Sequence, residues 1–125
     1  RDAEDIPFRP DFVLRDGLVV RAGSIGLRTI HTPGHTPGSV CFWFQGHLFT
    51  GDTLYSGGPG ESWGPEATAE ILLSITQNLY TLPDDVLLYP GHGHHSVLAV
   101  PKREYAIYRR EYPDIFPSIP GSETA

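Results

Sequence analysis

The first half of the chain alternates short apolar runs with glycine, proline and polar residues. Such runs, bounded by turn residues, are typical of antiparallel β-strands joined by tight turns. Asp16-Gly17 and Gln45-Gly46 are the turn signals of two predicted hairpins. The pattern therefore predicts a meander of strands over residues 12–14, 18–20, 25–30, 40–44 and 48–50.

The second half changes to a helical period. Its apolar positions recur at three- and four-residue spacing and predict an amphipathic helix from Glu66 to near Pro83, with Ile71, Leu72, Ile75 and Leu79 on one face. Residues 86–89 are almost wholly apolar, which suits a strand buried on both faces. A second helix is predicted over residues 102–111, with Pro101 at its first position. The chain is thus expected to be a mixed α/β structure, with an antiparallel-rich sheet and two helices.

Residues 51–65 separate the two halves and contain five glycines and two prolines. This density predicts a loop rather than regular structure. Loops of about fifteen residues are uncommon in compact domains unless they have a function.

Length and charge narrow the possibilities. The 125 residues fit one domain, and the net charge of −6, without any run of Lys or Arg, argues against a nucleic-acid partner. No apolar stretch approaches the ~18 residues of a membrane span. The single cysteine, Cys41, lies in an apolar run and is predicted to be a buried structural thiol. We therefore expect a soluble protein of a reducing compartment, the cytoplasm.

Three predicted strands are each followed by a glycine-containing turn and then by a potential metal ligand: His35, Asp52 and His92. Strands that end at one edge of a sheet would bring these side chains together. Imidazole nitrogen and carboxylate oxygen suit zinc, iron or manganese. One histidine after a strand is more often structural, and this interpretation is preferred for His31, whereas His94 and His95 are expected to have surface or supporting roles.

The segments 32–39 (TPGHTPGS), 48–54 (LFTGDTL) and 82–93 (LPDDVLLYPGHG) resemble, in order and spacing, the metallo-β-lactamase superfamily and specifically its glyoxalase II-like branch. The resemblance implies an αββα sandwich with a metal pair, most simply two zinc ions, in a cleft at one sheet edge; iron or manganese would also suit. By the family pattern His35 completes the histidines of the first metal, Asp52 bridges both, and His92 binds the second.

The family's other ligands lie in an upstream H-x-H-x-D-H motif, and residues 1–34 contain nothing similar. We therefore expect residues 1–125 to form the C-terminal part of a single domain whose N-terminal half is a missing partner. The isolated chain is expected to be inactive and to dimerise or aggregate through exposed apolar residues, namely Val40, Phe42, Phe44 and 86–88.

The resemblance implies a hydrolase in which a metal-bound hydroxide attacks an ester, thioester, lactone or amide carbonyl of a small molecule. Asp52 would hold the metals and orient the nucleophile, and Tyr55 could donate a hydrogen bond to substrate. Glutathione thioesterases of this branch carry Lys and Tyr where this chain has Glu61 and Trp63, so glutathione is a disfavoured substrate. The alternatives are an iron-dependent oxidoreductase resembling persulfide dioxygenases, and a truncated module without catalysis.

Overall fold

The computed structural model describes residues 7–121 and has a mixed α/β fold. Six strands form one sheet in the order β1-β2-β3-β4-β7-β8, and β5 and β6 form a separate small hairpin. All neighbours in the large sheet are antiparallel except β4 and β7, which are parallel. The strands are β1 (Val19–Ala22), β2 (Ile25–His31), β3 (Val40–Phe44), β4 (His47–Gly51), β5 (Leu54–Tyr55), β6 (Gly58–Pro59), β7 (Leu87–Pro90) and β8 (Ser96–Val97), and the helices are α1 (Pro65–Asn78) and α2 (Ala99–Glu111).

The meander predicted from the sequence is present, but its first hairpin is displaced. β1 pairs with β2 around a turn at Gly23, which has a φ of 62°. The strand predicted over residues 12–14 is wrong, because these residues are irregular and pair with no strand in the described part of the chain, and Phe12 and Val13 are exposed. Asp16-Gly17 still forms a turn, in which the Asp16 carboxylate accepts a hydrogen bond from the backbone N–H of His31.

Helix α1 covers one face of the sheet and forms the core with it. Pro65 occupies its first turn, where no intrahelical N–H partner is needed, and Glu66 complements the positive end of the helix dipole. The helix contributes Ile71 and Ile75 to a buried cluster that also contains Leu48 and Leu88 of the sheet. The amphipathic helix predicted from the sequence is therefore confirmed, although it ends at Asn78, before Pro83.

The opposite face of the sheet is only partly covered by the described residues. Leu88 is fully buried against the helices, but its neighbour Leu87 is 39% exposed, so the prediction that this strand is buried on both faces is wrong. Phe49 is 40% exposed and stacks on Tyr89 with ring centroids 4.9 Å apart. The expected exposure of residues 86–88 thus holds for Leu87 alone, since Val86 is also buried. Val40, Phe42 and Phe44 are half-buried.

Helix α2 begins at Ala99, three residues earlier than the sequence suggested. Pro101 is consequently its third residue rather than its first. Proline is still tolerated there because the N–H groups of the first turn have no intrahelical acceptor. Tyr105 packs edge-on against Tyr80 at 5.3 Å and ties the helix to the core. Neither described helix is long and apolar enough to cross a membrane.

The topology places the ends of three strands at one edge of the sheet. β2 and β4 are both antiparallel to β3, and β7 is parallel to β4. These three strands therefore run in the same direction, and the turns that follow them lie side by side. The loop predicted over residues 51–65 begins at this edge and folds back as the short β5–β6 hairpin.

Candidate metal centre

Asp52 lies between two histidines at this sheet edge. The Nε2 atom of His35 is 3.4 Å from Oδ2 of Asp52, and the Nδ1 atom of His92 is 3.3 Å from Oδ1. His35 follows β2, Asp52 follows β4 and His92 follows β7. The structure therefore brings together the three side chains that the sequence singled out, although they are far apart along the chain.

The arrangement fits part of a two-metal site. Each imidazole faces a different oxygen of the same carboxylate, as the ligands of two neighbouring ions bridged by Asp52 would. The described residues contain no group of three or more His, Cys, Asp or Glu side chains suited to a single ion. Catalytic zinc normally has three protein ligands. One histidine and a shared carboxylate for each ion are thus a fitting but incomplete set.

The segment that carries His35 is fixed by contacts with α1. A Cβ atom added to Gly34, which has a φ of 146°, would lie 2.3 Å from Cβ of Ile71. The hydroxyl of Ser74 donates a hydrogen bond of 2.7 Å to the carbonyl of Pro33. His31 supports the same turn, since its Nε2 atom lies 3.0 Å from the carbonyl oxygen of Pro37. This is the structural role that the sequence suggested for His31.

The ring of His35 is also held from the loop after β6. Its Nδ1 atom is 2.8 Å from the main-chain carbonyl oxygen of Glu61. Its ring centroid lies 5.2 Å from that of Trp63. A carbonyl can only accept, so this contact selects a proton on Nδ1 and leaves Nε2 directed at Asp52. No sequence signal could identify this partner, because any residue type supplies a main-chain carbonyl.

Tyr55 is a further member of the cluster. Its hydroxyl donates a hydrogen bond to Oδ1 of Asp52, and its ring meets that of His92 edge-on at 5.5 Å. Partial burial, together with the neighbouring Asp52 carboxylate, raises the pKa of Tyr55 to about 12. The hydroxyl is therefore protonated at neutral pH and acts as a donor.

The remaining candidates of the sequence lie outside this cluster. Cys41 is fully buried, and burial raises the pKa of its thiol to about 11 despite hydrogen bonds with Thr32 and Thr53 that lower it. A protonated, inaccessible thiol is a structural group, as predicted. His95 packs near Tyr89, with ring centroids 6.0 Å apart, on the partly covered face of the sheet.

Comparisons with known proteins identify the family of the chain. Residues 1–92 match the family model of the metallo-beta-lactamase superfamily. The probable polyketide biosynthesis zinc-dependent hydrolase BaeB of Bacillus velezensis is 40% identical over 81 residues, which are 64% of this chain and 36% of that protein. Human mitochondrial persulfide dioxygenase ETHE1 is 40% identical over 88 residues, 68% of this chain and 35% of its own. A hydroxyacylglutathione hydrolase of Hydrogenovibrio crunogenus is 40% identical over 89 residues, 69% of this chain and 32% of its own.

Solved structures show the same fold. The BLEG-1 B3 metallo-beta-lactamase superposes with a TM-score of 0.65 and 30% identity, covering 74% of this chain and 46% of that one. TTHA1623 in a di-iron-bound form superposes with a TM-score of 0.60 and 31% identity, covering 78% of this chain and 47% of that one.

The chain belongs to the metallo-beta-lactamase superfamily. Within it, the chain falls in the glyoxalase II-like branch, to which its hydroxyacylglutathione hydrolase relatives point. Members of this superfamily are metal-dependent, and those similar to this chain include a zinc-dependent hydrolase and a di-iron-bound structure. The chain spans about a third of the length of these curated relatives.

Proposed function

We propose that residues 1–125 supply part of the active site of a metal-dependent hydrolase that cleaves an ester, thioester, lactone or amide of a small molecule. The observation that carries the proposal is the Asp52 carboxylate held between Nε2 of His35 and Nδ1 of His92. A carboxylate with one imidazole at each oxygen is suited to bridging two cations. Two zinc ions are the proposed cofactor, with iron or manganese as alternatives.

The described donors are too few for two ions, so we propose that a further segment completes the site. In this proposal that segment is the N-terminal half of the same domain, carrying an H-x-H-x-D-H motif. It would also cover the apolar sheet face on which Phe49 and Leu87 are about two-fifths exposed. Residues 1–125 alone are therefore proposed to be inactive and prone to self-association through this face.

Each described side chain has a distinct proposed task. The metal ions, when bound, supply a water of lowered pKa and a positive field that polarises the substrate carbonyl. Asp52 would be a ligand shared by both ions, and His35 and His92 would each supply one imidazole nitrogen. Tyr55 donates a hydrogen bond to Asp52 and lies beside His92, where its hydroxyl oxygen and ring edge are proposed to contact substrate.

The surroundings of His35 suggest a substrate other than a glutathione thioester. Trp63 is 67% exposed beside the His35 ring and offers an apolar surface to an acyl group. Glu61, whose carbonyl contacts the same ring, is exposed and would repel the two carboxylates of glutathione at close range. An uncharged or cationic thioester or ester is the proposed substrate class.

A substrate panel assayed with the complete, zinc-loaded protein tests this function. We expect thioesters with uncharged leaving groups to have a kcat/KM at least about fivefold higher than the same acyl group on glutathione. This ratio corresponds to one repulsive charge contact of ~1 kcal/mol. Glu61→Lys should narrow this preference, and Glu111→Lys at the exposed end of α2 is the matched control that should not. Equal rates in wild type would contradict the proposed selectivity.

The second candidate function is persulfide oxidation, because ETHE1 is as similar to this chain as the hydrolases are. An oxygen electrode separates the two functions. If the protein is a hydrolase, the zinc-loaded form should hydrolyse the acyl substrates and should consume no oxygen when glutathione persulfide is the substrate. Oxygen uptake by the iron-loaded protein, with no hydrolysis of any member of the panel, would favour the oxidoreductase.

A further inference from the structure

Residues 60–63, here called the clamp loop, approach the Asp52 main chain more closely than a side chain would allow. A Cβ atom on Gly60 would lie 1.7 Å from the carbonyl oxygen of Asp52 and 2.9 Å from its carbonyl carbon. The N–H of Gly60 donates to the carbonyl of Thr53 at 3.0 Å. Glycine is therefore required at position 60 for this approach, and the backbone of the loop is fixed directly beside Asp52.

This approach brings the next residue to His35. The carbonyl oxygen of Glu61 reaches Nδ1 of His35 at 2.8 Å across a separation of 26 residues. Trp63, two residues further, packs on the same ring. The loop thus contacts both the nitrogen of His35 that does not face Asp52 and the ring itself.

We infer that the clamp loop is a positioning device for His35: Gly60 permits the close approach, the Glu61 carbonyl holds the Nδ1 proton, and Trp63 restrains the ring. A hydrogen-bond acceptor behind an imidazole fixes both its tautomer and its direction, and removing such a partner typically weakens metal binding by about 10- to 100-fold. The inference rests on the proposed role of His35 as a metal ligand. It adds that residues which do not themselves contact a metal raise the zinc affinity of the site by holding His35 in place.

Because the contact with His35 is made by the main chain of Glu61, substitutions of the Glu61 side chain should be tolerated, whereas substitutions that move the loop backbone should not. Glu61→Ala keeps the carbonyl and should bind zinc as the wild type does. Gly60→Ala should weaken zinc binding about 10- to 100-fold. Gly57→Ala, in the turn between β5 and β6, is the matched control, because a Cβ at Gly57 meets nothing within 4 Å and the clamp loop is left unchanged. Trp63→Ala keeps the backbone intact and should weaken binding about two- to tenfold, the usual value of an aromatic contact.

The experiment uses the complete protein and measures zinc dissociation constants by competition with a chelator, together with NMR of the imidazole protons. In the zinc-loaded wild type, the Nδ1 proton of His35 should exchange slowly with water. In Gly60→Ala and Trp63→Ala this proton should exchange faster, while the imidazole signals of His92 should not move. Circular dichroism of the metal-free variants verifies that they are folded.

The outcomes separate the inference from the function on which it rests. Wild-type zinc affinity and an unchanged His35 proton in both Gly60→Ala and Trp63→Ala would overturn the positioning role. Equal disturbance of His35 and His92 would also overturn it, since Gly60 would then act on Asp52 itself. Failure of the wild type to bind zinc, iron or manganese would overturn the proposed function and the positioning role with it. Zinc binding by the wild type that is lost in His35→Ala would support the function, whatever the clamp-loop variants do.

Discussion

Replacing Asp52 by alanine is expected to abolish metal binding and hydrolysis together in the complete protein. Both oxygens of Asp52 face an imidazole, so its removal takes one ligand from each proposed metal position. Substitution of a group that only supports a ligand lowers metal affinity or activity by about 10- to 100-fold. Loss of a ligand shared by both ions should lower zinc affinity and kcat/KM by more than about a hundredfold. Metal analysis after dialysis and an ester-hydrolysis assay measure the two effects.

Asp52→Asn distinguishes charge from shape. The amide keeps the side-chain volume and one oxygen but loses the negative charge that holds two cations, so it should resemble Asp52→Ala more than wild type. Asp85→Ala removes an exposed carboxylate at a distant turn and should change neither quantity. Full activity of Asp52→Ala at wild-type metal content would show that the assigned role of Asp52 is wrong.

Gly34→Ala is expected to lower the stability of the fold strongly. The added methyl group would lie 2.3 Å from Cβ of Ile71 and 2.4 Å from its Cα, so the turn would have to separate from α1. Strained backbone and overpacking each cost about 1–3 kcal/mol, which predicts a loss of about 3–5 kcal/mol in the free energy of unfolding. Because His35 is the next residue, zinc binding should also decline in the fraction that remains folded.

Gly46→Ala separates the two causes of this loss. Gly46 also has a positive φ, 84°, but a Cβ there meets nothing within 4 Å. This variant should therefore lose only the strain cost of about 1–2 kcal/mol. Urea unfolding of the two variants and the wild type gives the comparison, and a Gly34→Ala variant no less stable than Gly46→Ala would refute the packing argument.

Local sequence signals were sufficient for much of this fold. The runs at 40–44 and 48–50 have β-forming residues with a glycine turn between them, and the helical spacing of Ile71 and Ile75 matches α1. The errors arose where tertiary contacts decide. Phe12 and Val13 have apolar side chains but pair with no strand among the described residues, and Leu87 lies in an apolar run yet faces the partly covered side of the sheet. An apolar run alone cannot distinguish a strand with two buried faces from one with a single buried face.

The sequence identified the side chains of the candidate site but not the main-chain contacts that hold them in place. His35, Asp52 and His92 could be found because each is a potential ligand after a strand and a glycine turn. The parallel pairing of β4 with β7, which aligns two of these turns, is a long-range contact that the meander pattern did not contain. The Glu61 carbonyl and the close approach of Gly60 depend on the path of the main chain, and residue identity at positions 60 and 61 does not specify that path.

His35, Asp52 and His92 are proposed to form an incomplete metal site that another segment completes. The most direct test measures zinc per molecule, by elemental analysis after gel filtration, for residues 1–125 alone and after mixing with a separately prepared N-terminal half that carries the H-x-H-x-D-H motif. The expected result is weak, substoichiometric zinc binding and no ester hydrolysis by the chain alone, and two zinc ions with hydrolysis in the complex. A monomeric 125-residue chain that retains two zinc ions and hydrolyses the ester without a partner would contradict it.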